Sequence, residues 1–82
     1  MKGGGKVEIR ILGTGCPKCH KLEEETRLAA AELQLDCNIE KVTELKDIMA
    51  FGVMITPALV VDGVVKVVGK VPAREDIKQL LT

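Results

Sequence analysis

Hydrophobic and polar positions alternate near the start of the chain. Val7, Ile9 and Ile11 fall on one side, and Lys6, Glu8 and Arg10 on the other. A period of two, rich in β-branched residues, predicts a half-buried strand. It stops at Gly13-Thr14-Gly15, where two glycines predict a tight turn. The period then changes. Cys19, Leu22, Thr26, Ala29, Ala30 and Leu33 recur at spacings of three and four, the inner stripe of a helix running to about Leu35. Cys16 takes its N-cap, and Pro17 suits the first helical position because the missing N–H is unpaired there anyway. Lys18, Lys21, Glu24, Glu25 and Glu32 point elsewhere, with Lys21 and Glu25 at i,i+4. The Glu23-Glu24-Glu25 run reads as a solvated face.

Residues 37–42 form a second short strand, polar enough for a sheet edge. Thr43 is placed to cap a short helix with Leu45, Ile48 and Met49 inward and Gly52 at its end. Two apolar runs, at 58–61 and 64–68, flank Asp62-Gly63. That dipeptide predicts a hairpin, because a type I′ turn needs positive φ at both central positions. Residues 72–81 carry Ile77, Leu80 and Leu81 as the inner face of a closing helix. The order is β-α-β-α-β-β-α, with a parallel first crossover and an antiparallel hairpin. The fold class is therefore α/β: a four-stranded mixed sheet with helices covering both faces.

Length and charge narrow the function. Eighty-two residues make one domain, here residues 6–82 behind a flexible glycine-rich leader at 1–5. Twelve basic and twelve acidic side chains cancel, so the chain lacks the footprint of a nucleic-acid or membrane-surface binder. Phe51 is its one aromatic residue, which removes the stacking platforms that bind single strands. No apolar run is long enough to span a membrane, and the N-terminus lacks the apolar region of a secretory signal. These features predict a cytoplasmic monomer. A structural disulfide framework would normally use four or more cysteines, and there are three.

Two of them stand as Cys16-Pro17-Lys18-Cys19 at a strand-to-helix junction. The i,i+3 spacing lets both sulfurs meet, with Cys16 at the exposed tip and Cys19 turned inward. Free N–H groups and the helix dipole favour a thiolate there, with Lys18 adding a little. Cys16 is the expected nucleophile and Cys19 the resolving thiol. Other uses of these residues are weaker. Cys16, Cys19, His20 and Cys37 could in principle ligate zinc, but His20 directly follows Cys19 and no second CxxC exists, so no metal is expected. The Cys-x-x-Cys-His pattern also matches haem attachment, which requires an exported chain with a haem pocket. His20 is expected to be solvated or to tune the pair near neutral pH. Cys37 is expected to be a buried, inert thiol.

The chain resembles the thioredoxin/glutaredoxin superfamily, most closely its small single-domain redox-active disulfide proteins of archaea and bacteria. The resemblance rests on residues 15–19, on Thr56-Pro57 before a strand, and on residues 61–64 in the hairpin, and it spans residues 6–81. It implies a thioredoxin-like fold and a protein disulfide oxidoreductase needing no cofactor beyond its redox-active disulfide. It also implies a cis bond at Pro57 beside the cysteines, with Thr56 offering backbone hydrogen bonds to an extended substrate. The partners implied are protein disulfides, together with a reductase or low-molecular-weight thiol that restores the dithiol. Met54 is placed to add an apolar rim. Several positions depart from the pattern. Gly15 stands where thioredoxins proper carry Trp, and Pro17-Lys18 where they carry Gly-Pro. Glu8 is the nearest candidate for the carboxylate that assists proton transfer in thioredoxin. Residues 68–70 only loosely echo the glutathione-binding turn. A glutathione-dependent glutaredoxin, or a metal- or partner-binding module without turnover, are the alternative readings.

Overall fold

Strand pairing follows the alternation along the chain. The computed structural model describes residues 6–82, so the expected leader at 1–5 lies outside the described residues. The elements are β1 (Val7–Leu12), α1 (Pro17–Glu32), β2 (Cys37–Val42), α2 (Leu45–Ala50), β3 (Ala58–Val61), β4 (Val64–Val68) and α3 (Arg74–Leu81). The sheet order is β2-β1-β3-β4. β1 pairs parallel with β2, from Val7 opposite Cys37 to Leu12 opposite Val42. It pairs antiparallel with β3, and β3 antiparallel with β4. The polar second strand is indeed an edge. Asp62 and Gly63 both take positive φ, 51° and 82°, as the two-residue hairpin requires.

Each sheet face has its own core. Ile9, Ile11, Leu59, Val61 and Val67 are buried against Leu22, Ala29 and Ala30 of α1 and Ile77 and Leu81 of α3. On the other face Leu12, Ala58 and Val60 pack with Ile48 of α2 and with Val53. Helices thus cover both faces, unequally.

Several expectations need correction. The first helix ends at Glu32, not near Leu35. Gln34 takes φ 51°, its N–H donates to the Ala31 carbonyl, and the Leu35 N–H donates back to the Ala30 carbonyl. That is a Schellman termination, with Gln where glycine is usual. The cap of α2 is Glu44, not Thr43, and its side chain makes no capping hydrogen bond. Leu45 and Met49, expected to face inward, are 62% and 52% exposed, and α2 buries only Ile48. The last helix starts at Arg74, two residues beyond Pro72.

The acidic run of α1 is not simply solvated. Only Glu24 is exposed; Glu25 is buried, held by Arg74 of α3 at 2.9 Å and by Lys21 at 3.3 Å. Arg74 also reaches Glu32 at 2.9 Å, and Lys78 joins Glu32 at 3.0 Å. These ion pairs clamp α3 onto α1. Hydrogen bonds from Arg74 hold the Glu25 carboxyl below the usual carboxylate range, and Arg74 and Lys78 do the same for Glu32.

Candidate active site

The strand register brings four loops to one end of the sheet, including the one after β2 at Thr43 and Glu44, since Leu12 stands opposite Val42. Leu12 stands opposite Ala58, and Ala58 opposite Val68. The residues that follow Leu12, precede Ala58 and follow Val68 therefore share an edge. They are Gly13 to Cys16, the segment ending at Pro57, and Gly69 with Lys70.

Cys16 is the N-cap of α1, with extended backbone at φ −71° and ψ 163°. Its sulfur does what a Ser or Asp oxygen normally does at this position, accepting the Cys19 N–H at 3.3 Å. Pro17 occupies the first turn, which holds no acidic residue. The Cys16 thiol is held below its ordinary pKa. A hydrogen bond from the Cys19 side chain contributes most, followed by the Cys19 backbone N–H; slight desolvation opposes them and the Lys18 backbone N–H adds to them. Both cysteines are free thiols, so this is the dithiol form. Cys16 is half-buried, whereas Cys19 is 6% exposed. The pair thus divides into a reachable sulfur stabilised as an anion and a shielded sulfur behind it.

Gly13 explains how Cys19 fits. Its φ is not left-handed, so conformational freedom is not its role. A Cβ there would lie 2.9 Å from the Cys19 Cβ and closer still to its sulfur. The buried helix turn can approach the strand end only because Gly13 has no side chain. A turn was the expectation; close packing is the finding, and only Gly13's position directly after the strand hinted at it.

A cavity of about 50 Å³ lies beside Cys19, lined by Gly13, His20, Glu23, Lys41 and Thr43 among others. Burial opposes ionisation of Glu23, but hydrogen bonding from Arg27 and the charge of Lys41 at 3.6 Å hold its carboxyl below the usual range. Glu8 is elsewhere. Its N–H and carbonyl both bond to Asp62 at the hairpin turn, the far end of the sheet, and its carboxylate accepts from Asn38. Cys37 pairs with Val7 at that far end too, and packs half-buried against the core. The four ligands considered for zinc are therefore not brought together, and His20 is exposed.

The Thr56–Pro57 peptide bond is cis. Pro57 is buried and Thr56 half-buried, while Met54 and Ile55 stand 84% and 63% exposed. Gly69 fastens this loop. Its N–H donates to the Pro57 carbonyl at 2.7 Å, its φ is 77°, and a Cβ on it would meet Ile55 Cγ2 at 2.9 Å. The sequence singles out Met54, and Gly69 only within the loose echo of a glutathione-binding turn; Ile55 it does not single out. The structure thus gathers Cys16, Pro17, Lys18, Cys19, Thr56 and Pro57 at one edge.

Comparison with known proteins agrees with this geometry. A family model described as Thioredoxin domain matches residues 7–82. A protein named Thioredoxin from Methanothermobacter thermautotrophicus is 41% identical over 76 residues, covering 93% of this chain and 99% of that protein. Another of the same name, from Methanocaldococcus jannaschii, is 45% identical over 75 residues, covering 92% of this chain and 86% of that protein. With a match running from the first strand to the last residue, and relatives of nearly its own length, the chain belongs to the thioredoxin family and is a thiol–disulfide oxidoreductase.

Proposed function

We propose that Cys16 is the attacking thiolate and Cys19 the resolving thiol of this exchange. The Cys16 thiolate displaces one sulfur of a substrate disulfide, forming a mixed disulfide and releasing the first substrate thiolate. Cys19 then gives up its proton and attacks the Cys16 sulfur, releasing the second. The dithiol loses two electrons and two protons, and the substrate leaves as two thiols. The redox group is the cysteine pair itself, with no cofactor.

The observation that carries this assignment is the N-cap. A sulfur that accepts N–H groups at a helix start is stabilised as the anion, and the anion is the nucleophile. Thr56, beside the cis bond, offers its backbone to an extended substrate segment, with Met54 and Ile55 as an apolar rim. The protein works as a cytoplasmic monomer on protein disulfides, and a reductase or low-molecular-weight thiol restores the dithiol. Among the described residues no helix is long and apolar enough to cross a membrane.

The test uses two variants. Cys16→Ser abolishes reduction of insulin disulfides without loss of fold, because serine caps helices well. Cys19→Ser accumulates a mixed disulfide through Cys16, read by mass spectrometry. Full turnover by Cys16→Ser contradicts the assignment. Turnover with a thioredoxin reductase, compared with glutathione plus glutathione reductase, identifies the donor.

A further inference from the structure

The chain is neutral overall, but its charges are segregated along the sheet. Three of the loops meeting at the thiol end, residues 13–20, 53–57 and 69–72, contain Lys18, His20 and Lys70 and no Asp or Glu, while the fourth, after β2, carries Glu44. The far end holds Glu8, Asp36 and Asp62, with Lys6. All three arginines are tied to carboxylates, Arg10 to Glu40, Arg27 to Glu23 and Arg74 to Glu25. Lys18 and Lys70 are exposed and, among the described residues, form no ion pair.

Acidic groups do approach the thiol end on one flank. Glu44, the N-cap of α2, and Asp47 within it line a cleft with Arg10 and Phe51 beside β2, and Glu23 is held by Arg27 and Lys41. Strand order separates the two flanks, because β2 lies on one side of β1 and β3 with β4 on the other. On the β3–β4 side Met54 and Ile55 are exposed, and Ile55 lies against Gly69, the neighbour of Lys70.

We infer that Lys18 and Lys70 make the exchange selective for disulfides flanked by negative charge. The source is either acidic side chains beside a protein cystine or the carboxylates of a small disulfide. This selectivity rests on the exchange chemistry proposed above. The Cys16 thiolate spreads its negative charge over three sulfurs as it attacks, so a substrate carboxylate nearby is repelled unless cations offset it. The ammonium groups of Lys18 and Lys70, at the same end of the sheet as Cys16, do so, acting on encounter and on orientation. One charge pair at about 6 Å in water alters a rate by roughly threefold, and reversing a charge alters it by about tenfold before salt screening.

The reduced protein is reacted with 3,3′-dithiodipropionate, a dianion, and with cystamine, a dication of matched length. Each rate is divided by that of dithiothreitol with the same disulfide, which cancels the different leaving-group pKa values. The thiolate fraction of Cys16 cancels within the ratio of the two. At low salt this ratio exceeds one, and it falls toward one at about 1 M salt, where the Debye length is ~3 Å. Lys18→Glu and Lys70→Glu each lower it by about threefold or more, while Lys6→Glu, the same change of net charge at the far end, leaves it unchanged. A second arm uses synthetic peptides whose single disulfide is flanked by Glu or by Lys. Preference only there assigns the selectivity to polypeptides, and preference in both arms extends it to small disulfides. A ratio of one in both arms, or an equal fall in Lys6→Glu, overturns the inference and leaves the exchange intact. Failure to reduce any of the disulfides overturns the exchange assignment itself.

Discussion

In the first turn of α1 a sulfur caps the helix, no carboxylate is present, and the reactive group is left half-open to solvent. Further along the same helix, Leu22, Thr26, Ala29 and Ala30 are buried, and Glu25 and Glu32 are gripped by Arg74 and Lys78 of α3. The difference shows how a small aliphatic domain separates reactivity from stability. The thiol end leaves out acids from the first turn of α1, side-chain bulk at Gly13 and apolar cover over Met54 and Ile55. The anchored part supplies the core contacts and cross-helix ion pairs that hold that end in position.

Substitutions in the anchored part are expected to cost stability without altering Cys16. Leu22→Ala, at a fully buried position, loses about 3 kcal/mol in urea unfolding. The alkylation rate of Cys16 in the remaining folded protein is unchanged. A loss well under 1 kcal/mol, or a slowed Cys16, breaks the separation.

Gly13→Ala sharpens the comparison because it lies where the two parts touch. The new methyl overlaps the Cys19 side chain, so about 1–3 kcal/mol is lost. The mixed disulfide formed on Cys16 also resolves more slowly, since the methyl pushes the attacking Cys19 out of place. Unchanged stability together with unchanged resolution kinetics contradicts the packing role of Gly13.

Acid tests the clamp. The Glu25 and Glu32 carboxyls titrate below their unfolded values, so their stabilisation is present above the ordinary carboxylate pKa of about 4.3. It is lost as pH falls through the lower, folded values. Lys78 is shifted upward chiefly by the hydrogen bond it donates to Glu32, so its share is lost only as pH rises through and beyond the ordinary lysine range. Arg74→Met is expected to lower Tm at pH 7 and to flatten the fall in Tm between pH 5 and pH 2. An equally steep fall in that variant means that other carboxylates control acid unfolding.

The smallest effect is a gain. The Thr26 hydroxyl is buried with no hydrogen-bond partner. Thr26→Val keeps the shape and removes the unpaired group, for a stabilisation of up to about 1 kcal/mol. Loss of stability in that variant shows that the hydroxyl has a partner.

Much of this was legible in the sequence because the signals are local. The alternation in β1, the Asp62-Gly63 turn and the placement of Cys16 and Pro17 each follow from one residue's backbone preference. The resemblance carried Pro57. What stayed hidden depends on partners far along the chain. Gln34 ends α1 in a conformation usually given to glycine, and Leu45 and Met49 are exposed because the short α2 buries only Ile48. Glu25 is buried because Arg74, 49 positions later, reaches it. Gly13 looks like any turn glycine until Cys19 is seen against it.

The most direct test of the central claim is the pH dependence of alkylation at each cysteine in the reduced protein, with iodoacetamide-labelled sites mapped by mass spectrometry. Cys16 is expected to react first, with a midpoint below that of an ordinary thiol, while Cys19 and Cys37 stay largely unlabelled until the fold is lost. Faster labelling of Cys19 or Cys37, or a Cys16 midpoint at or above about 8.5, the ordinary thiol value, contradicts the account.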